Sequence, residues 1–109
     1  MDKLTLYQGY IKEIIKRHSH PASYGEVEIQ PIFDTEHHHY QLVYAGWYEK
    51  QRQYGCTIHI DLKGEKIWIQ YDGTEEGVAD ELVELGVPKE DIVLAYQPPY
   101  KRPYTGFAS

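Results

Sequence analysis

Several features that mark common protein classes are scarce or missing in this sequence. It has a single cysteine, Cys56, so no disulfide can form within the chain. No apolar run approaches the roughly 18 residues of a membrane span, and the first segment lacks the continuous apolar stretch of a signal peptide. These absences favour a soluble, cytoplasmic protein that makes no membrane contact.

Basic residues are also in short supply. The chain has 11 lysines and arginines against 17 aspartates and glutamates, a formal net charge of −6. Affinity for nucleic acid comes largely from basic side chains that displace the counterions of phosphates, so direct DNA binding is disfavoured. An alternative is DNA contact through the basic residues of the first segment, Lys3, Lys12, Lys16 and Arg17.

Much of the acidity lies between residues 72 and 91, where eight acidic residues accompany one lysine. Such a run is typical of a solvated helix face. The alternative interpretation is an acidic docking surface for a basic partner protein, formed by Glu76, Asp80 and Glu84.

The length and the apolar content indicate one packed core. With 109 residues, 41% of them hydrophobic, we expect a single domain over residues 1–109. Apolar residues recur at spacings of three and four in the first segment and predict an amphipathic helix capped by Asp2. These residues are Leu4, Tyr7, Ile11, Ile14 and Ile15.

Four strand-like segments follow this helix. Residues 26–30 read as an edge strand that Pro31 is predicted to interrupt or bulge. Residues 39–49 and 52–63 are the next strands, and a turn at Lys63-Gly64 leads into the fourth, residues 65–72. Together they predict a four-stranded antiparallel meander.

The remainder completes a predicted α+β fold. Asp72 or Thr74 can cap a second helix, and Gly86 supplies the left-handed conformation that ends it. Residues 92–94 predict a short final strand, followed by an extended C-terminal tail rich in proline and tyrosine.

The third and fourth strands sort their side chains onto two faces by the two-residue period of a strand. The predicted apolar face comprises Tyr54, Cys56, Ile58, Ile60, Leu62, Ile67, Ile69 and Tyr71. The predicted polar face comprises Thr57, His59, Asp61, Trp68, Gln70 and, in one register, Trp47. Aromatic residues among polar ones are typical of protein contact surfaces, so we expect a partner-binding face here. The alternative is that the tail covers this face.

Three consecutive histidines, residues 37–39, stand at the entry to the second strand. The strand period directs His38 away from the other two, so the three cannot ligate one ion. Further ligands would have to come from Asp34, Glu36 or His59, and no paired spacing of a structural zinc motif is present. We therefore expect no metal and no cofactor.

Catalytic pairs are also weakly indicated. Cys56 and His59 are predicted on opposite faces, so they cannot form a dyad, and Cys56 is expected to be a small buried residue. His59 and Asp61 share a face, but no further catalytic group has a fixed position beside them. We assign no catalytic residue; the alternative is a small enzyme or nuclease-complex subunit that uses His59, Asp61 and His39.

Three longer motifs carry a family resemblance: YGC-x-x-HID at residues 54–61, KIWIQ-x-DGTE at 66–75 and GVPK-x-DIVL at 86–94. With them the sequence resembles the XisI family, the fdxN element excision controlling factor proteins, over nearly its whole length. His37 and His38 depart from that pattern, because other polar or charged residues commonly stand there.

The resemblance implies a bacterial, non-catalytic accessory protein that controls site-specific excision of a DNA element by a recombinase. The implied partners are a companion protein of the XisH type and the recombinase itself. Self-association is left open. No catalytic or ligand residue is implied by the resemblance.

Overall fold

The computed structural model describes residues 2–22 and 25–109. Its elements are helix α1 (Lys3–Arg17), strands β1 (Glu26–Asp34), β2 (His39–Tyr48), β3 (Gln51–Lys63) and β4 (Lys66–Asp72), helix α2 (Val78–Glu84) and strand β5 (Ile92–Leu94). The strands form one sheet in the order β1-β2-β3-β4-β5. The predicted α+β class, antiparallel meander and short final strand are confirmed. Because β5 runs parallel to β4, the sheet is mixed.

Both α-helices pack on one face of the sheet, which we call the helix face; the opposite side is the outer face. The predicted stripe of α1 is buried there except for Leu4, which is 38% exposed and lies outside the core. The core residues of the helices are Tyr7, Ile11, Ile14, Ile15, Val78 and Leu82. The strands contribute chiefly Tyr40, Leu42, Ile58, Ile60, Leu62, Ile67, Ile69, Ile92 and Leu94. Within the described residues, neither helix combines the length and the apolar character that a membrane crossing requires.

The predicted capping residues bond to the helix ends, although α2 begins later than predicted, at Val78, with Gly77 as its N-cap residue. The Asp2 carboxylate accepts from the Thr5 backbone N–H at 2.8 Å. The Asp72 carboxylate accepts from the Val78 backbone N–H, the first residue of α2, at 2.7 Å. Gly86 follows α2 with a φ of 106°, a conformation that glycine adopts without steric cost.

Polar contacts join α1 to α2 and to the segment after it. Glu81 on α2 lies 2.8 Å from Nε2 of His18 and 3.7 Å from the Arg17 guanidinium. The Tyr7 hydroxyl donates to Asp91, which also pairs with Lys3 at 3.2 Å. Part of the acidity of residues 72–91 is therefore used to hold the helices together.

Two bulges decide which side chains reach the outer face. In β3, Thr57 is an extra residue without a partner in β2. In β4, Gln70 is an extra residue without a partner in β3. Each extra residue reverses the alternation beyond it. The prediction that Tyr54, Cys56 and Tyr71 belong to the apolar face is therefore wrong. Tyr54 and Tyr71 are 71% and 52% exposed, and Cys56 pairs with Val43 on the outer face and is only half-buried.

The predicted interruption at Pro31 is also wrong. β1 continues through Pro31, which pairs with Leu42, to Asp34. The strand does lie at the sheet edge, as predicted. An edge strand tolerates proline because only one of its sides pairs with a neighbour, so a missing backbone N–H need not break the ladder.

The C-terminal segment folds back along β5, the edge of the sheet opposite β1. Ala108 forms a parallel bridge with Val93 of β5, and residues 102–104 make one turn of 3₁₀ helix. Arg102 donates to the carbonyl oxygens of Ala95 and Gln97 and lies 5.7 Å from the centre of the Trp68 ring. The tail is thus ordered by local turns, and it contacts Trp68 of β4 and Val93 of β5.

The core assignment predicts a difference between two aliphatic residues of α1. Ile14→Ala removes a fully buried side chain and should lower the free energy of unfolding by about 2–5 kcal/mol. Leu6→Ala, at a residue 38% exposed on the same helix, should change it by less than about 1 kcal/mol. Urea unfolding followed by circular dichroism measures both; equal losses would contradict the assignment.

Two glycines provide a second test. A Cβ at Gly46 would meet the carbonyl oxygen of Glu26 and approach Val27 Cα to 2.6 Å, so Gly46→Ala should destabilise by about 1–3 kcal/mol or more through overpacking. Gly9 in α1 has no neighbouring atom within 4 Å of such a Cβ, and Gly9→Ala should stabilise by about 0.5–1 kcal/mol. Thermal unfolding of the two variants should therefore shift in opposite directions.

Candidate functional site

The strand register sets polar side chains in two neighbouring rows across the outer face. One row is Asp34, His39, Asp61 and Trp68, and the next is Ile32, Gln41, His59 and Tyr71. The first three members of each row line an open cavity of about 420 Å³. Sequence patterns show the period of each strand but leave the register open. The alternative prediction grouped His39 with His59 and Asp61, whereas Gln41 was not predicted as a member of this site.

Asp61 is the centre of the cluster. Its Oδ1 lies 2.8 Å from Nδ1 of His39 and 3.0 Å from Nε2 of His59. Its Oδ2 accepts from the Gln70 side-chain amide at 3.2 Å. An ionised carboxylate can only accept, so each imidazole presents a protonated nitrogen to the same oxygen.

The cluster is only partly screened from water. The side chain of Asp61 is 16% exposed, that of His59 32% and that of His39 55%. The hydrogen bond that His39 donates to the Asp61 carboxylate, and then the negative charge of that carboxylate, raise the pKa of His39 above its ordinary value. Nearby, the backbone N–H of His37 is the main cause that lowers the pKa of Asp34. The cavity therefore has two acidic side chains beside two imidazoles.

The consecutive histidines take three different partners. His37 Nδ1 lies 3.0 Å from the Asp34 carboxylate, whereas His38, in a left-handed conformation, has Nδ1 3.3 Å from the Tyr40 hydroxyl. Only His39 enters the cluster around Asp61. His37 and His38 lie in the turn before β2, so their different directions come from that turn and not from the strand period.

The other predicted contact residues are spread along the outer face. Trp68 is beside Asp61 in the register but half-buried, with its indole N–H donating to the Lys63 carbonyl oxygen at 3.1 Å. Thr57 is the bulge residue, and its carbonyl oxygen accepts from the Gly73 N–H at 2.7 Å. Trp47 pairs with Arg52 at the far end of β2, six residues and roughly 20 Å from the second row. The structure therefore joins His59, Asp61 and Gln70 directly and leaves Trp47 apart.

The predicted acidic surface lies elsewhere. Glu76, Asp80 and Glu84 are exposed on and just before α2, on the helix side of the molecule. They do not belong to the cluster around Asp61, so the chain presents two separate polar surfaces.

Cys56 lacks the features of a reactive thiol. Its Sγ donates to the Ile58 carbonyl oxygen at 3.1 Å. Partial burial raises the pKa of the thiol, whereas nucleophilic cysteines have lowered values.

The His39–Asp61 contact predicts a measurable titration. Asp61→Asn removes the main cause of the raised pKa, so in chelator-treated protein the pKa of His39 should fall toward about 6.5. Because the folded-state pKa is raised, this contact stabilises the fold fully below the unfolded value near 6.5, and that stabilisation is lost as pH rises through the folded value. NMR titration of the imidazole checks the shift. Glu28→Gln, an exposed acid elsewhere on the outer face, should leave His39 unchanged.

Comparison with known proteins identifies the family. A family model described as "XisI protein" matches residues 1–109. The crystal structure of a XisI-like protein from Anabaena variabilis ATCC 29413 is 44% identical, with a TM-score of 0.91, and the match covers 96% of this chain and 97% of that one.

A second crystal structure, of the fdxN element excision controlling factor XisI from Anabaena variabilis ATCC 29413, is 34% identical with a TM-score of 0.84. The match covers 98% of both chains. No curated protein matches the chain significantly. From the full-length family match and the agreement in fold, the chain belongs to the XisI family.

Proposed function

We propose that this chain is a non-catalytic accessory protein in the control of site-specific DNA excision, and that it acts by docking a partner protein on its outer sheet face. Membership of the XisI family, and a relative described as an fdxN element excision controlling factor, support the role in excision control. The observation that carries the docking mechanism is that, within the described residues, both α-helices pack on the opposite face.

The outer face has the composition of a protein contact surface. Four of the large apolar or aromatic side chains exposed by more than two fifths belong to it by register: Ile32, Trp47, Tyr54 and Tyr71. Aromatic residues offer a large contact area with few rotatable bonds, and they are enriched at protein interfaces. The Arg52 guanidinium lies 5.6 Å from the Trp47 ring centre and 6.0 Å from that of Tyr54. These contacts orient the two rings before a partner arrives.

Electrostatics support a protein partner over DNA. The net charge is −6, and most basic side chains of α1 already have intramolecular partners. Lys3 pairs with Asp91, Arg17 with Glu13 and Glu81, and Lys12 lies over the Phe33 ring. A phosphate backbone would have to compete with these contacts.

The proposed occupant of the outer face is a XisH-type companion protein, the partner that the family resemblance implies. The exposed acids Glu76, Asp80 and Glu84 form a separate surface, which suits a second, basic partner such as the recombinase. Accordingly, loss of the outer-face aromatic residues should release the companion without affecting contacts made through α2.

One observation favours a second candidate function. His39, His59 and Asp61 converge in an open cavity, an arrangement that a small enzyme or a nuclease-complex subunit can use for proton transfer or metal chemistry. A nuclease assay on the complex with the companion protein, comparing His59→Gln with the unaltered chain, distinguishes this candidate from a docking role.

Paired tyrosine variants test the docking surface. Tyr71→Ala, at a residue 52% exposed on the outer face, should weaken binding of the purified companion protein at least tenfold, the size of loss typical of an interface aromatic. Tyr96 is similarly exposed, at 49%; its pKa is raised by partial burial and by the charges of Asp72 and Asp80, which place it near α2. Tyr96→Ala should leave the affinity unchanged.

Biolayer interferometry with a tagged companion gives both affinities, and circular dichroism confirms that each variant is folded. Equal effects from the two variants, or a loss only when Glu76, Asp80 and Glu84 are neutralised together, would contradict docking on the outer face. Recovery of the recombinase or a second copy of this chain, in place of the companion, would reassign the occupant.

A further inference from the structure

From the cluster around Asp61 we infer that His39, His59 and Asp61 bind one divalent transition-metal ion of the zinc type, with further coordination positions open to the cavity. This site goes beyond the docking role and does not depend on it, because it can be measured on the isolated chain. It uses three side chains from two neighbouring strands.

The pairing of neighbouring strands brings these ligands together. His39 and Asp61 are direct partners in the pairing of β2 with β3, and His59 precedes Asp61 by two residues on the same side of β3. One ring nitrogen of His39, one of His59 and a carboxylate oxygen of Asp61 lie within 4.8 Å of one another. They are held on paired strands, which fix positions better than a mobile loop does.

The distances fit an ion at the place where the two imidazole protons now point. The Oδ1 oxygen lies 2.8 Å and 3.0 Å from the two nitrogens. Ligands about 2.0–2.2 Å from a tetrahedral zinc ion are roughly 3.3 Å apart, so the two nitrogen–oxygen separations would lengthen by about a few tenths of an ångström. The two histidine nitrogens would come to a similar separation by rotation of their side chains. Binding would displace the proton from each hydrogen-bonded ring nitrogen. That proton moves to the other nitrogen of a neutral imidazole or is released from an imidazolium, and the ion takes its place between the same three atoms.

The donor set selects the class of ion. Two imidazoles and one carboxylate suit zinc and the neighbouring first-row transition metals, whereas calcium and magnesium require oxygen ligands throughout. Three protein ligands leave at least one position for water or for a group brought by another molecule. The cavity of about 420 Å³ gives access to that position.

Neighbouring side chains orient the Asp61 carboxylate for metal binding. Gln70 donates to Oδ2 of Asp61 at 3.2 Å, which orients the carboxylate and leaves Oδ1 directed toward the histidines. Such outer contacts commonly contribute a factor of 10–100 to metal affinity. Asp34 lines the same cavity and adds a second negative charge. By comparison, His37 and Asp34 also form a His–Asp contact, at 3.0 Å, but this pair does not belong to the group of three candidate ligands.

The test is direct titration of the chain, purified without a histidine tag and treated with chelator, with Zn²⁺ in a calorimeter. We expect one ion per chain, with His59→Gln and Asp61→Asn each lowering the affinity at least 100-fold. Gln70→Ala should lower it about tenfold, since only the orientation of the carboxylate is lost. His37→Gln removes another exposed histidine of the same run and should leave the affinity unchanged.

A spectroscopic measurement keeps the proposal testable if a substituted chain fails to fold. In the unaltered protein loaded with one equivalent of Cu²⁺, pulsed electron paramagnetic resonance should count two coordinated imidazoles. A count of none or one, Zn²⁺ binding no tighter than that of Asp61→Asn, or an equal loss in His37→Gln would overturn the proposal.

Discussion

The one-sided burial of the sheet is the constraint on which the other features depend. The apolar stripes of α1 and α2 require a surface to cover them, and the helix face supplies it through residues such as Leu42, Ile58 and Ile69. Both apolar stripes are buried against the helix face, so no helix has to pack on the outer face and its side chains need not be apolar. Histidine, aspartate and glutamine can therefore occupy the middle of a sheet without the cost of burying unpaired polar groups.

The two bulges determine which side chains lie on the outer face. Without the extra residues at Thr57 and Gln70, strict alternation would direct Tyr54 and Tyr71 toward the helices. With them, aromatic rings flank the polar cluster on the same face. The bulge in β4 also lets Gln70 reach Asp61 while Tyr71 pairs with His59. One local irregularity thus positions both a docking side chain and a support for the candidate metal ligand.

The features that could be predicted from the sequence are those that depend on residues close together along the chain. The spacing of Tyr7, Ile11 and Ile14, the cap at Asp2 and the glycine at position 86 act within a few residues, and all were predicted correctly. Errors arose where pairing between strands decides the outcome. The faces of Tyr54, Cys56 and Tyr71 depend on bulges, and the convergence of His39 with Asp61 depends on a register that neither strand encodes alone. The absence of a paired zinc motif could not exclude ligands brought together in this way.

The two edges of the sheet differ, and this limits how the protein can associate. Beside β5 the edge is occupied in part by the returning chain, which bridges at Ala108. The opposite edge, β1, has Pro31 near its centre, where a backbone donor is missing, and carries the acidic residues Glu26 and Glu28. Such an edge resists the addition of a foreign strand, so the sheet is protected from extension into fibrils and from swapped dimers that would add a strand to it. Association by shape and side-chain complementarity on the broad side of the sheet then remains the more accessible route.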